Sequence, residues 1–134
     1  MAAVVTGKGF IETAKLLTGV GSPVAFSYLA LGTGSQTEDT TVTALATEIT
    51  EASGLSRVSA ATVTTASSAT AGDTAKFSHT WTSTKGSTVS VKECGVFNSS
   101  TSGVCLAYAT FATAIPMESA DTLSVTWSVQ CKAG

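Results

Sequence analysis

The sequence predicts a mainly β domain, an antiparallel two-sheet β-sandwich of six to seven short strands with a short N-terminal helix and one small helical turn. Composition is the first observation behind this prediction. Hydrophobic residues make up 43% and charged residues only 12% of the chain, with abundant Thr and Val, which favour strands, and Ser and Gly, which favour turns. The second observation is a period of two in hydrophobicity from Leu55 onward. The third is length, because 134 residues can bury one hydrophobic core.

Two segments show helical spacing of apolar residues. The first is GFIETAKLLTG, whose apolar residues on one face are Phe10, Ile11, Ala14 and Leu17. Gly19 and Gly21 are candidates to end this helix. The second segment follows a polar loop, and we predict one or two helical turns with Asp39 or Thr40 as the N-cap. Its apolar residues are Val42, Leu45, Ala46 and Ile49.

Six segments predict strands because apolar and polar residues alternate between turn signals. They are PVAFSYLALG, LSRVSAATVTT, TAKFSHTWTS, TVSVKECGVFN, GVCLAYATF and TLSVTWSVQC. The last is the most regular. Leu123, Val125 and Trp127 point to one side of it, and polar residues point to the other. One apolar and one polar face are typical of an antiparallel strand packed on a core.

The stretch VKECGVFNSSTSGVCLAYATF, residues 91–111, predicts a hairpin with an irregular first strand. Gly95 interrupts the alternation, and a glycine within a strand often marks a bulge or a close approach of another backbone. If the hairpin closes symmetrically about Ser100, Cys94 and Cys105 lie near one another. Synthesis in a cytoplasm favours two reduced thiols over a disulfide.

Charge and hydropathy argue against several classes of partner. The formal net charge is −2, and the seven Lys and Arg residues do not cluster, so we expect no nucleic-acid partner. No apolar run approaches the roughly 18 residues of a membrane span, so we expect no membrane partner. The start, MAAVVTGKGF, lacks the features of a secretory signal. A surface poor in charge resists association weakly, which favours a homo-oligomer.

Residues able to carry catalysis are few and scattered. His79 is the single histidine and shares a predicted strand face with Phe77 and Trp81, which favours a place in the core or at its rim over a general base or metal ligand. Three cysteines without a CxxC spacing do not form a zinc motif. No nucleophile motif supports a Cys–His couple that uses Cys94 or Cys105. The sequence therefore predicts no enzyme, no metal site and no cofactor.

Several segments, among them the hairpin and the closing strand DTLSVTWSVQ, resemble the small structural modules of tailed bacteriophages that are labelled tail-fibre or tail-collar proteins. The similarity covers nearly the whole chain. The residues at the family's positions are Glu93, Gly95, Val96, Phe97, Leu106, Asp121, Thr122, Leu123, Val125, Thr126 and Trp127. Cys94 stands where an aliphatic residue is usual, a conservative exchange for a small buried side chain.

The resemblance implies a non-enzymatic β-structure of the virion, which is assembled in the host cytoplasm and docks onto other virion proteins. Because the chain ends soon after its last predicted strand, we expect a capsid decoration (cement) protein bound to the head surface. The alternative is a tail-fibre or collar adaptor. A cell-surface or carbohydrate-binding β-sandwich is a second alternative, and it would need an exposed platform of aromatic side chains.

The N-terminal segment is the expected contact with these partners. We predict a flexible arm at residues 1–9 and a single β-sandwich domain at residues 10–134. The apolar start of the arm would become ordered on docking. The predicted partner-contact residues are Met1, Ala2, Ala3, Val4 and Val5.

Overall fold

The computed structural model describes residues 2–67 and 70–132 of the chain. The elements in this part are β1 (Ala2–Val5), α1 (Gly7–Thr18), β2 (Tyr28–Gly32), β3 (Val58–Ser59), β4 (Thr62–Ala66), β5 (Thr74–Thr82), β6 (Val89–Phe97), β7 (Cys105–Met117) and β8 (Thr122–Gln130). One sheet has the order β1–β7–β6–β2–β3 and the other the order β4–β5–β8. Their neighbouring strands are antiparallel. The predicted mainly β, two-sheet architecture with a short N-terminal helix is confirmed.

The alternation in β5 and β8 assigned the core face correctly. Phe77 lies opposite Trp127, and Trp81 lies opposite Leu123. Phe77, Trp81 and Trp127 are buried, whereas Thr80 between them is exposed. The two strands therefore present one apolar face to the other sheet, as half-buried antiparallel strands do.

The predicted strand LSRVSAATVTT is in fact two strands that belong to different sheets. Strand β3 pairs with β2 in the first sheet, and β4 pairs with β5 in the second. Between them, the backbone N–H of Ala60 donates to the carbonyl of Ser27 at 2.7 Å, and the pairing with the first sheet ends there. Alternation alone does not mark the point at which a chain changes sheets.

The core between the two sheets is apolar. Trp81 is its largest fully buried side chain, and its indole Nε1 donates to the carbonyl of Ser56 at 3.0 Å. Both sheets contribute to this cluster, so its burial holds them face to face. The other buried members are Phe26, Leu29, Leu31, Ile49, Leu55, Phe77, Val89, Val91, Cys94, Val96, Leu106, Ala107, Ala109, Met117 and Trp127.

In place of the predicted small helical turn, the structure has a single hydrogen-bonded turn. The N–H of Val42 donates to the carbonyl of Asp39 at 3.1 Å, and the N–H of Thr41 donates to the Asp39 carboxylate at 2.8 Å. Farther along, the N–H of Ile49 donates to the carbonyl of Leu31 in the sheet. Val42, Leu45 and Ile49 are buried as their spacing indicated, whereas Ala46 is exposed. The sheet takes a backbone donor that a helix would use internally.

The β6–β7 hairpin does not close symmetrically about Ser100. Cys94 lies opposite Ala109 and Cys105 lies opposite Phe97, with a register shift between Val96 and Phe97. Cys94 faces the core between the sheets, whereas Cys105 belongs to a second buried cluster. Both are free thiols, as the sequence predicted, but the prediction that the hairpin register places them together is wrong.

Gly95 marks a close approach rather than the bulge itself. It pairs in register with Tyr108 and with Ala30 on its two sides. A Cβ atom at this position would lie 3.0 Å from the Phe97 ring and 3.2 Å from the carbonyl of Ala107. The irregularity that changes the phase of β6 lies before the glycine, between Val91 and Glu93.

Candidate partner-docking surfaces

His79 is half-buried, at the place its strand neighbours predicted. Its ring packs edge-on against Trp81, with 4.8 Å between ring centroids and 73° between the planes. Across residues 2–67 and 70–132, no three His, Cys, Asp or Glu side chains are grouped as metal ligands would be. Over the same residues, no helix is long and apolar enough to cross a membrane.

Burial keeps the thiols of Cys94 and Cys105 in their protonated form at neutral pH. Burial raises the pKa of Cys94 and that of Cys105 from 9.0 to about 12. The Trp127 indole beside Cys94 and the Arg57 guanidinium near Cys105 oppose this shift without cancelling it. The thiolate is the nucleophilic form of cysteine, and burial disfavours that form at both positions.

Alkaline pH is expected to destabilise the fold through these thiols. Above pH 9 the unfolded chain releases their protons, whereas the folded chain holds them to about pH 12. The folded state then binds more protons, so each thiol lowers the free energy of unfolding by up to about 1.4 kcal/mol per pH unit. Urea denaturation on both sides of pH 9 measures this slope. The double variant Cys94→Ala, Cys105→Ala should flatten it, and an equal slope in that variant would contradict the prediction.

The carboxylate of Glu93 fastens the loop between β2 and β3 to the first sheet. It is fully buried and accepts hydrogen bonds from the N–H groups of Ala46 and Thr47 at 3.0 and 2.8 Å. It also accepts from the Tyr108 hydroxyl at 2.6 Å. Burial, followed by this bond, raises the pKa of Tyr108 above its usual range. The acid is thus fully engaged in holding structure.

A cavity of about 710 Å³ lies beside the β6–β7 loop, but its main charges are already paired. Arg57 donates to both oxygens of Glu48 at 2.8 and 2.6 Å and to the carbonyls of Ser99 and Ser102 at 2.9 and 2.7 Å. Its guanidinium also stacks 3.8 Å over the Phe97 ring. These bonds use the planar donor fork of arginine to fix the loop beside the cavity.

The predicted contact segment forms the edge of the first sheet. Ala2–Val5 is β1 and pairs with β7, from Ala2 opposite Thr110 to Val5 opposite Ala107. Met1 lies outside the described residues. Residues 2–5 and 7–9, predicted as parts of a flexible arm, thus lie in β1 and the first turn of α1. The outer side of an edge strand is a natural place for another chain to pair.

Helix α1 begins at a cap that also ties it to β7. Thr6 is the N-cap and accepts from the N–H of Gly9 at 2.9 Å. Its own hydroxyl donates to the carbonyl of Cys105, and its N–H donates to that of Leu106. The predicted C-cap Gly19 is confirmed, with a φ of 70° in the left-handed region that glycine favours.

The side of α1 that faces the protein carries a charge. Glu12 is only 7% exposed and accepts from the backbone N–H of Val24 at 3.2 Å. Lys15 lies 3.5 Å from the same carboxylate, and the amide of Asn98 reaches it at 3.5 Å. Polar bonds and a close backbone contact, rather than an apolar stripe, therefore hold the helix to the sandwich.

The apolar side of α1 consequently faces outward. Phe10, Ile11 and Leu17 are 60%, 59% and 85% exposed, and the following segment adds Val20 and Val24 at 67% and 55%. We call these five residues the α1 surface. Scattered apolar residues are normal on a protein, but a group on one side of a helix, as Phe10, Ile11 and Leu17 are, marks a site of contact with another molecule. The sequence predicted this apolar face but not its outward direction.

The aromatic side chains of the strands do not form an exposed platform. Phe77, Trp81, Phe97, Tyr108 and Trp127 are buried, and Phe111 is half-buried. Carbohydrate-binding surfaces present such rings to solvent. The described residues therefore give no support to the cell-surface or carbohydrate-binding alternative.

A comparison with family models decides among the remaining classes. The model described as podophage GP4 fiber I protein gp80 matches residues 15–129, most of the chain. This chain belongs to that family. It is therefore a phage virion structural module of tail-fibre type, as the resemblance of the hairpin and closing strand implied. No curated protein matches the chain.

The family match runs from the middle of α1 through β8. It covers β2 to β7, nearly all of β8, the Glu93 network and Leu17, the most exposed member of the α1 surface. Strand β1 and the start of α1 lie before it. Of the two virion roles weighed from the sequence, the family supports the tail-fibre alternative better than capsid decoration.

Proposed function

We propose that this chain is a non-enzymatic structural subunit of the phage tail fibre, which binds other virion proteins through exposed apolar surface. The observation that carries the proposal is the α1 surface, five apolar residues that each expose more than half of their surface. The fibre family supplies the context. A protein that leaves this much apolar surface uncovered is built for assembly.

Three features support the non-enzymatic part of this proposal. The buried thiols are held protonated, with pKa values of about 12. The Glu93 carboxylate and the Arg57 guanidinium are engaged in bonds that position loops. Free cysteines also suit assembly in the reducing cytoplasm of the host, where disulfides are rare.

Electron microscopy of intact particles tests the role. Particles carrying this chain with an epitope tag after the last strand should bind antibody at the tail fibres. Labelling spread over the head surface would contradict the proposal and support the capsid decoration role that the sequence alone favoured. Untagged particles are the control for unspecific antibody binding.

Deletion of residues 1–5 is expected to weaken incorporation into particles while leaving a folded domain. Strand β1 lies at the sheet edge, where a partner strand can pair, so we propose residues 1–5 as a contact. Thr6 must be retained, because it is buried and caps α1.

Incorporation is measured by comparing the amounts of deleted and full-length chain in purified particles, after circular dichroism has shown that both are folded. The matched control is Val63→Lys, a change at an exposed position of the distant strand β4. Equal incorporation of the deleted and full-length chains would exclude residues 1–5 as a necessary contact.

A further inference from the structure

We propose that the α1 surface is a homotypic interface, on which α1 of a second copy of this chain packs across a two-fold axis. This names one partner for the fibre subunit proposed above, and it rests on that function only in taking the surface to serve assembly. Area, residue spacing and charge each favour a second copy as the occupant.

The exposed apolar area is of the size that two copies need. All five residues of the α1 surface expose more than half of their surface, between 55% and 85%. Side chains of these types together offer on the order of 600 Å². A standard interface buries about 800 Å² on each partner, and polar residues along the same helix supply a rim. A symmetric pair therefore covers the surface with an interface of ordinary size.

The spacing along α1 suits another helix. Phe10, Ala14 and Leu17 follow one another at intervals of four and three residues, the repeat by which one helix packs against another. Ala14 is small and exposed and lies between the two large side chains. A two-fold axis beside Ala14 allows two antiparallel helices to approach closely at that point. Leu17 then packs against the partner's Ile11.

The charges favour a copy of the same helix. The α1 surface has no acidic or basic member, so two copies bring no like charges together at its centre. Lys15 is paired with Glu12 of its own helix at 3.5 Å, and Lys8 lies at the flank. An acidic or basic partner would find no opposite charge on the surface itself. A neutral surface is complementary to a second neutral surface, and the two-fold axis supplies one.

Sedimentation of the purified full-length chain tests the interface. The wild type is expected to be a dimer that Leu17→Lys converts to a monomer. Each dimer loses two buried leucines, so the dissociation constant should rise on the order of 100-fold. Val63→Lys, which places the same charge on another exposed valine, should remain a dimer. A monomeric wild type, or a dimer that Leu17→Lys leaves unchanged, would overturn the proposal.

A disulfide cross-link tests the position of the axis. In a Cys131→Ser background, which removes the exposed native thiol, Ala14→Cys should form a covalent dimer on mild oxidation. Val63→Cys in the same background should not. A dimer in which Ala14→Cys fails to cross-link would rule out this packing. Both tests use isolated protein, so their failure is separable from a failure to find the chain in the tail fibre.

Discussion

Glu93→Ala is expected to lower the free energy of unfolding by about 3–5 kcal/mol. The carboxylate is fully buried and is the acceptor for the N–H groups of Ala46 and Thr47 and for the Tyr108 hydroxyl. Alanine would leave these three donors without their acceptor, and the Tyr108 side chain among them is fully buried. Leaving buried polar groups unpaired costs more than the net gain from making the bonds.

Denaturant unfolding followed by tryptophan fluorescence measures this loss. Glu118→Ala removes the same charge at an exposed position and should change stability by less than about 0.5 kcal/mol. Glu93→Gln should fall between the two variants, because one oxygen still accepts while the new amide donor faces existing donors. If Glu93→Ala were as stable as Glu118→Ala, the carboxylate would have no role in holding the loop.

The strands could be predicted from the sequence where one face of the sheet is buried and the other is exposed to solvent. Strand β8 alternates along its length, and the sequence assigned Trp127 to the core correctly. Strand β1 carried no such signal, because four small or apolar residues contain no alternation and only pairing with β7 defines them. The hairpin register was likewise out of reach, since shifts beside Val91 and Val96 depend on both strands together.

The sequence predicted the apolar residues of α1 but not that they face outward. Helical spacing identified the apolar face of α1, but spacing describes a face and not what covers it. A signal for the inner face was present in Thr6, Gly9 and Glu12, which recur at intervals of three residues along one side of the helix. A capping residue, a glycine and an acid form an unusual inner face. This inner face can be recognised only when β7 is known to lie against the helix.

Gly9→Val is expected to displace α1 from the sheet and to lower the free energy of unfolding by about 2–3 kcal/mol. A Cβ atom at this position would lie 2.6 Å from the carbonyl oxygen of Leu106 and 2.8 Å from its Cα. Both atoms belong to the backbone of β7, which β1 and β6 hold from either side. The helix is therefore the element that must move.

For Gly9→Ala, the sign of the change in the free energy of unfolding is informative. At an open helical site, replacing glycine by alanine stabilises a helix by about 1 kcal/mol, so a loss of stability in Gly9→Ala can come only from the contact with β7. Gly86→Ala, at a position with open space around it, controls for the added methyl group.

Hydrogen exchange measures the displacement of α1 directly. Relative to the wild type, Gly9→Val should exchange faster in α1 than in β5 and β8. Unchanged protection of α1 would mean that the helix tolerates the valine side chain and that Gly9 does not determine the position of α1 against β7. The packing of α1 against β7 also turns Phe10 and Leu17 outward. Displacing the helix should therefore disrupt the α1 surface, while the core around Trp81 stays packed.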